Sequence, residues 1–304
     1  MEAGLFKMTR EEVEDICRDL EGVISKNAVR ETEAKFEAAE NLMRELRKEA
    51  EGEVQERSVW NMDQSLEVLR MKVDRILDRR DAGKKGDGNV ALKCTWNDRG
   101  YKGPCSDEAY RFNVSEGRAF CSLPKGRCRK YTQDVSLEEN PCYESIALRE
   151  MYFGAGWDHS GVKERPRTIH HVKEGRIAVL TTRPPGTKEG DRLVIGCLLI
   201  HRVLDDPGEE TKIFGDKARS MEVPFDEVEV HFWDYYKNPE AEDVILWASG
   251  LFRYISNQTV LGILKGIERK YEDTGRDTSR VRGLIGHVEL FASQAGAGSG
   301  ATTL

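Results

Sequence analysis

The sequence predicts an α+β protein in three parts. They are an N-terminal helical, coiled-coil-like arm, a central cysteine-rich metal module, and a C-terminal mixed β-barrel with flanking helices. Three observations carry this prediction: apolar residues at helical spacing over the first eighty residues, five of the seven cysteines within one short stretch, and β-branched apolar runs from about residue 145 onward. We assign residues 1–81 to the arm, 82–89 to a linker, 90–144 to the module, 145–291 to the barrel domain and 292–304 to a disordered tail.

The arm opens with a capping box, Thr9-Arg10-Glu11-Glu12, and continues as two apolar seams with alternating spacings of three and four. The seams are out of phase near Gly52, so a helical hairpin and one long interrupted helix remain alternatives. The stripe is thin and its flanks are charged, which favours a homo-oligomer or a partner helix bound through residues 9–80. The seam positions are Phe36, Ala39, Met43, Leu46 and Ala50, then Val59, Met62, Leu66, Leu69, Val73 and Ile76.

Charge is distributed unevenly. The whole chain carries a formal net charge of −7, which argues against a globally basic nucleic-acid binder. The segment 88–135, however, carries 9 Lys+Arg against 5 Asp+Glu, so positive charge is concentrated on the cysteine-rich stretch. Either a solvated basic face or a phosphate-contacting patch fits this pattern. The residues that would contact phosphates are Arg99, Lys102, Arg127, Arg129 and Lys130.

The clustered cysteines predict a metal site, because thiolates are soft ligands and four of them satisfy either tetrahedral zinc or a [4Fe–4S] cluster. Their wide spacing differs from the C-x2-C pattern of common zinc ribbons and does not separate the two cofactors. Partly buried thiols or a redox pair are the alternative. The expected ligands are Cys94, Cys105, Cys121 and Cys128, with Cys142 in reserve, whereas Cys197 lies in an apolar strand and is expected in the core.

Cellular context supports the choice of metal over disulfides. The N-terminal stretch is acidic and lacks an apolar signal core, so a cytoplasmic location is expected, where disulfides are rare. No run of eighteen apolar residues occurs, so no membrane span is expected.

The C-terminal half predicts strands at 176–182, 192–203, 220–225 and 228–236. A helix is expected after Ser256, which is a suitable N-cap, and a last amphipathic element is expected over 281–291. No nucleophile elbow, phosphate-binding loop or dinucleotide fingerprint occurs. The acidic groups at Asp205-Asp206 and at 226–229 are interpreted as turn and surface residues, although a nuclease would use such groups to bind a divalent metal.

The stretch GRIAVLTTRPPGTKEGDRLVIGCLLIHRV, with Gly190-Asp191 before an apolar strand and Gly196 within it, resembles the strand pair of PUA-like small β-barrels. That superfamily includes EVE, YTH and ASCH domains. The resemblance implies recognition of RNA or of modified DNA bases in an aromatic pocket, often in restriction or RNA-modification systems. It makes Trp157, Trp233 and Trp247 the pocket candidates, because bases stack on such rings.

The function expected from the sequence is therefore nucleic-acid binding, as a reader of RNA or modified DNA bases in a defence or RNA-processing system. Two alternatives remain open. One is a metal- or iron–sulfur-dependent enzyme, either a nuclease or a redox protein. The other is a coiled-coil adaptor that acts through its helical arm.

Overall fold

The computed structural model describes residues 10–18, nine positions between 35 and 52, residues 54–62, 65–66 and 69, and then 88–116, 119–122, 142–158, 164–238, 245–247 and 250–297. The chain divides into two compact units. The first comprises residues 1–84 and 237–250, and the second comprises residues 85–236 and 251–304.

The N-terminal unit buries the predicted seams. Helical residues 10–18 and 54–62 contribute to one apolar cluster, in which positions of both seams lie together. Gly52 has a left-handed φ of +84°, which interrupts the helix at the predicted phase break. Phe36, Val73 and Ile76 lie outside the described residues, so self-association through the seams stays a prediction. The buried members of the cluster are Val13, Ala39, Met43, Leu46, Val59, Met62, Leu66 and Leu69.

A seven-stranded sheet forms the centre of the second unit. Its strands are β1 (Asn89–Lys93), β2 (Tyr152–Gly154), β5 (Ile177–Thr182), β6 (Leu193–Leu204), β7 (Lys212–Gly215), β8 (Met221–Glu222) and β9 (Phe252–Ile255). They lie in the order β2-β7-β6-β5-β1-β9, and β8 pairs with β6. β1 and β5 are parallel and the other pairs are antiparallel. A separate ribbon pairs β3 (Trp157–Asp158) with β4 (Arg165–Pro166).

The sheet confirms the α+β class and two of the strands that the sequence predicts. β5 is buried throughout and β6 is buried over its first eight residues, which explains their continuous apolar, β-branched composition. Residues 89–93, which the sequence predicted to be the end of the linker and the start of the cysteine-rich module, belong to this sheet as β1. In the part of the chain that the structure describes, no strand pairing joins β2 to β9, so closure into a barrel is not part of the observed fold.

The segment 228–236 differs from the predicted strand. It makes one isolated bridge, Leu193 to His231, and then a 3-10 turn at Phe232–Asp234. The turn brings three aromatic rings together. Phe232 stacks with Tyr236, and Trp233 lies edge-on to both. The β-branched and aromatic residues that predicted a strand here instead form a compact turn.

Helices α1 (Asp107–Ser115) and α2 (Ala119–Ser122) follow β1, and α3 (Asn257–Asp273) and α4 (Ser279–Ala297) follow β9. The predicted cap is confirmed, since Ser256 Oγ accepts a hydrogen bond from Thr259 N at 3.1 Å. α4 is longer than the predicted 281–291, so the boundary of the tail at 292 is wrong: residues 292–297 are helical, as their alanines favour. Among the described helices, none combines the length and the apolar composition that a membrane span requires.

Candidate functional site

The cysteines of the predicted metal module lie in different settings. Cys94 follows β1 and is buried, and its N–H donates to Thr181 O at 2.8 Å. Burial, and then the nearby Glu144, raise the pKa of the Cys94 thiol well above its usual value, while Arg192 opposes them. Cys121 is buried in α2, Cys105 and Cys142 are half-buried, and Cys128 lies outside the described residues.

No group of three or more His, Cys, Asp or Glu side chains is arranged to hold a metal ion within the described ranges. Because Cys128 is not among those residues, the metal module stays a prediction. The acidic positions considered for a nuclease are surface residues, as expected: Asp205 and Asp206 are exposed in the turn after β6, and Glu227 is ion-paired with Arg276.

The predicted phosphate contacts are described in part. Arg99 and Lys102 are exposed on a tight turn, and Lys102 Nζ lies 2.5 Å from Glu222 Oε2. The turn is held by Tyr101, which is buried with a left-handed φ of +60° and whose hydroxyl accepts a hydrogen bond from Asn97 N. Arg127, Arg129 and Lys130 lie outside the described residues.

The three tryptophans proposed for a pocket separate into two classes. Trp233 and Trp247 are buried, and their indole N–H groups donate to Glu189 Oε1 at 3.2 Å and to Gly250 O at 2.9 Å. Trp157 is 36% exposed on the β3–β4 ribbon. Of the three, Trp157 alone therefore presents a ring that a ligand can reach without repacking the interior.

The ribbon is anchored at its base to the segment that leads into β7. Arg167 N donates to Gly156 O at 2.9 Å, and Thr211 N donates to Arg167 O at 3.0 Å. Ala155 N also donates to Thr211 O at 2.9 Å, which continues the antiparallel pairing of β2 with β7. Trp157 therefore lies on a ribbon whose backbone is held by hydrogen bonds to neighbouring segments. Arg165 and Arg167 are exposed on the same ribbon.

A buried carboxylate, that of Glu210, lies next to Thr211, which anchors this ribbon. The Glu210 side chain is only 3% exposed. Its Oε1 accepts a hydrogen bond from the Tyr143 hydroxyl and lies 3.9 Å from Lys212 Nζ. Its Oε2 has no hydrogen-bond partner among the residues that the structure describes. This second oxygen faces Gly156, where a Cβ would stand 3.9 Å from it.

Aromatic packing holds Tyr143 against this carboxylate. The Tyr143 ring covers the backbone of Gly154, where a Cβ would come within 2.5 Å of the ring, so only glycine fits there. Tyr152 lies edge-on to Tyr143 and to Phe214, with ring centroids 5.3 and 5.2 Å apart. Burial and the Glu210 carboxylate raise the pKa of Tyr143, and they raise that of Tyr152 to about 12, so both phenols stay protonated at neutral pH.

A second carboxylate, Glu189, is half-buried, with 21% of its side chain exposed, and it contrasts with the first. Arg192 Nε lies 2.5 Å from its Oε1 and Arg192 Nη2 lies 2.9 Å from its Oε2, while Trp233 also donates to Oε1. Burial alone would raise the pKa of Glu189, but Arg192, assisted by Lys93 and Arg183, holds it below its usual value. Both oxygens are bound within the protein, so this group is suited to holding the loop before β6.

The sequence did not point to Glu210 or Tyr143. Glu210 stands in the acidic run Asp205–Glu210, where a solvated carboxylate is the ordinary expectation, and Tyr143 is 67 positions away from it. The pairing of β2 with β7 brings them together. No protein-family model, curated protein or solved structure matches this chain.

Proposed function

We propose that this protein binds single-stranded or flipped-out nucleobases on the β3–β4 ribbon, with Trp157 as the stacking platform. The observation that carries the proposal is the partial exposure of Trp157 on a ribbon whose backbone is hydrogen-bonded to the segment before β7. A base stacked on an aromatic side chain contributes about 1–3 kcal/mol. Among the described residues of this unit, Trp157 is the one aromatic side chain that is exposed, whereas Trp233 is buried.

Local cations support the same proposal. Arg165 and Arg167 are exposed on the ribbon that carries Trp157 and would contact the phosphates of a strand whose base lies on the ring. Arg99 and Lys102 remain further candidates on their own turn. Because the chain as a whole is acidic, its affinity for nucleic acid has to come from such local groups. The resemblance to PUA-like barrels agrees with base recognition, and barrel closure is part of this proposal.

A salt titration of oligonucleotide binding tests the proposal. Trp157→Ala is expected to weaken binding of short single strands by about tenfold to a hundredfold, the loss of one stacked base. Trp60→Ala is the matched control, since Trp60 is 61% exposed but belongs to the N-terminal unit. Arg165→Ala should reduce the slope of log K against log salt by about 0.7, the value for one phosphate contact to a single strand. Binding that is indifferent to salt and to Trp157 would overturn the proposal.

The cysteine-rich stretch belongs to this proposal as its structural module, with Cys94, Cys105, Cys121 and Cys128 as ligands and Cys142 in reserve. Metal analysis and an absorbance spectrum of freshly purified protein separate its two forms. Colourless protein with stoichiometric zinc indicates a zinc site, and visible thiolate-to-iron bands indicate a [4Fe–4S] cluster. Protein that contains neither would remove the module from the proposal.

The adaptor function is a second candidate, and Trp60 favours it. An indole that is largely exposed beside the buried cluster of the N-terminal unit is the kind of residue that dominates protein interfaces. Self-association of the full chain is then expected to weaken in Trp60→Ala, as measured by analytical ultracentrifugation, whereas Trp157→Ala should leave it unchanged. An unaltered oligomeric state in Trp60→Ala would remove this candidate.

A further inference from the structure

We propose that His170 and His171 form a chelating site for one divalent transition-metal ion of the kind that imidazole binds, such as Ni²⁺, Zn²⁺ or Cu²⁺. The two histidines lie between β4 and β5, and the site uses none of the cysteines. The inference concerns a metal ion rather than a nucleobase, so it goes beyond the function proposed above.

The backbone brings the two imidazoles close together, which is the first step. Neighbouring residues of a strand point to opposite faces of the sheet, so adjacent histidines on a strand would diverge. Here His170 and His171 lie in a turn, and His171 has a left-handed φ of +64°. Their ring centroids are 6.4 Å apart and both residues are exposed. An ion in solution can therefore reach both rings.

The separation of the rings is the second step. A metal–nitrogen bond of about 2.0–2.1 Å places an ion about 3.2 Å from the centre of each ligating ring, so the centres of two such rings are at most about 6.4 Å apart. The observed 6.4 Å lies at this upper limit. Exposed side chains change rotamer readily, and a rotation of one ring shortens the separation toward the value of about 5 Å for two tetrahedral ligands.

The partner of the His170 ring is the third step. Its Nε2 lies 3.1 Å from Thr168 Oγ1. In the tautomer with the proton on Nε2, Thr168 accepts that hydrogen bond and the lone pair lies on Nδ1. A metal-ligating histidine ordinarily donates its other ring N–H in this way, which fixes the orientation of the ring. Within the described part of the chain, Nδ1 of His170 and both ring nitrogens of His171 have no hydrogen-bond partner.

The turn is also anchored on both sides of its backbone. The Tyr254 hydroxyl of β9 donates a hydrogen bond to His170 O. The preceding residue, Ile169, is 2% exposed, and its N–H donates to Thr211 Oγ1 at 2.8 Å. The backbone that carries the imidazoles is thus ordered before an ion arrives, which lowers the entropy cost of binding.

The chemical character of the site follows from the number of its ligands. No third His, Cys, Asp or Glu joins the pair within the described ranges. Two protein ligands leave coordination positions for water or for an anionic ligand, in contrast to a structural zinc site, which is closed by four protein ligands. The pair therefore suits an exchangeable ion.

Isothermal titration of the full-length protein with Ni²⁺ tests the site. The variants are His170→Ala and His171→Asn, because asparagine tolerates the left-handed conformation of residue 171. Each is expected to weaken Ni²⁺ binding by about a hundredfold, since loss of either ligand removes the advantage of linked ligands. The cysteines are the same in every variant, so the difference from the wild type reports the histidines alone.

His201→Ala is the matched control. His201 is also exposed, but its ring lies beside Phe214 rather than beside a second imidazole, so this variant should keep the wild-type affinity. Thr168→Val removes the hydroxyl that holds the His170 ring and should weaken Ni²⁺ binding by about tenfold. Circular dichroism establishes that each variant is folded.

Two results would overturn the proposal. One is wild-type Ni²⁺ affinity in folded His170→Ala and His171→Asn. The other is a loss in only one of these variants, which would show binding by a single imidazole rather than chelation by the pair.

Discussion

Glu189 and Glu210 each lie a few residues before a strand of the same sheet, β6 and β7 respectively, yet their carboxylates have different partners. Glu189 shares both oxygens with Arg192 and one of them with Trp233. Glu210 uses one oxygen, while the other lacks a hydrogen-bond partner in the described part of the chain. A carboxylate that is saturated inside the protein stabilises the fold. A carboxylate with one buried oxygen that lacks a donor stabilises the fold less.

The largest effect is expected at Glu189. Arg192 is 2% exposed and Glu189 is 21% exposed, so Glu189→Gln leaves a buried guanidinium against a neutral, half-buried partner. Removing one partner of a fully buried ion pair costs about 3–5 kcal/mol, and we expect about 3 kcal/mol because Glu189 is partly exposed and glutamine keeps an acceptor. Urea denaturation measures the difference. The oligonucleotide affinity of the folded variant should be unchanged, and a loss of stability below about 1 kcal/mol would contradict the structural role.

The contribution of Glu189 should depend on pH in one direction. Because its folded pKa lies below the unfolded value of about 4.5, the ion pair stabilises the protein fully above that pH and is lost as the pH falls through the folded pKa. The difference in unfolding free energy between the wild type and Glu189→Gln should therefore be constant near neutrality and shrink on acidification. A difference that grows as the pH falls below 4.5 would contradict the sign.

An intermediate effect is expected at Tyr143. Tyr143→Phe removes the hydroxyl that donates to Glu210 Oε1 and keeps the ring over Gly154. Loss of a hydrogen bond to a buried carboxylate costs about 1–3 kcal/mol. Urea denaturation of the variant and the wild type measures the loss. A variant with wild-type stability would show that the Tyr143 hydroxyl does not stabilise Glu210.

The smallest effect on stability is expected at Glu210 itself. Glu210→Gln keeps an acceptor for Tyr143 and removes charge from a buried group whose Oε2 has no donor, so the free energy of unfolding should change by less than about 1 kcal/mol. Urea denaturation beside Glu189→Gln gives the comparison directly. Equal destabilisation by the two substitutions would mean that both glutamates are structural.

Local signals in the sequence predicted much of the fold. The apolar, β-branched runs of β5 and β6, the Ser256 cap and the burial of the N-terminal seams each depend on residues close in the chain. The turn at Phe232–Asp234 was missed because aromatic residues favour strands but also form turns in which their rings pack together.

At the candidate site the sequence pointed only to Trp157, one of three tryptophans that the PUA-like resemblance proposed for a pocket. Glu210 and Tyr143 meet through strand pairing between distant segments, and no spacing in the sequence records that contact. An acidic surface run conceals a buried carboxylate because burial depends on the tertiary fold rather than on the neighbouring residues.

The ratio of the Kd of Trp157→Ala for a short single-stranded oligonucleotide to the Kd of the wild type tests the proposed function most directly. We expect a ratio of about ten or more for Trp157→Ala and of about one for Trp60→Ala, because only Trp157 lies on the β3–β4 ribbon. A ratio of about one in folded Trp157→Ala would contradict the claim that this ring stacks on a base.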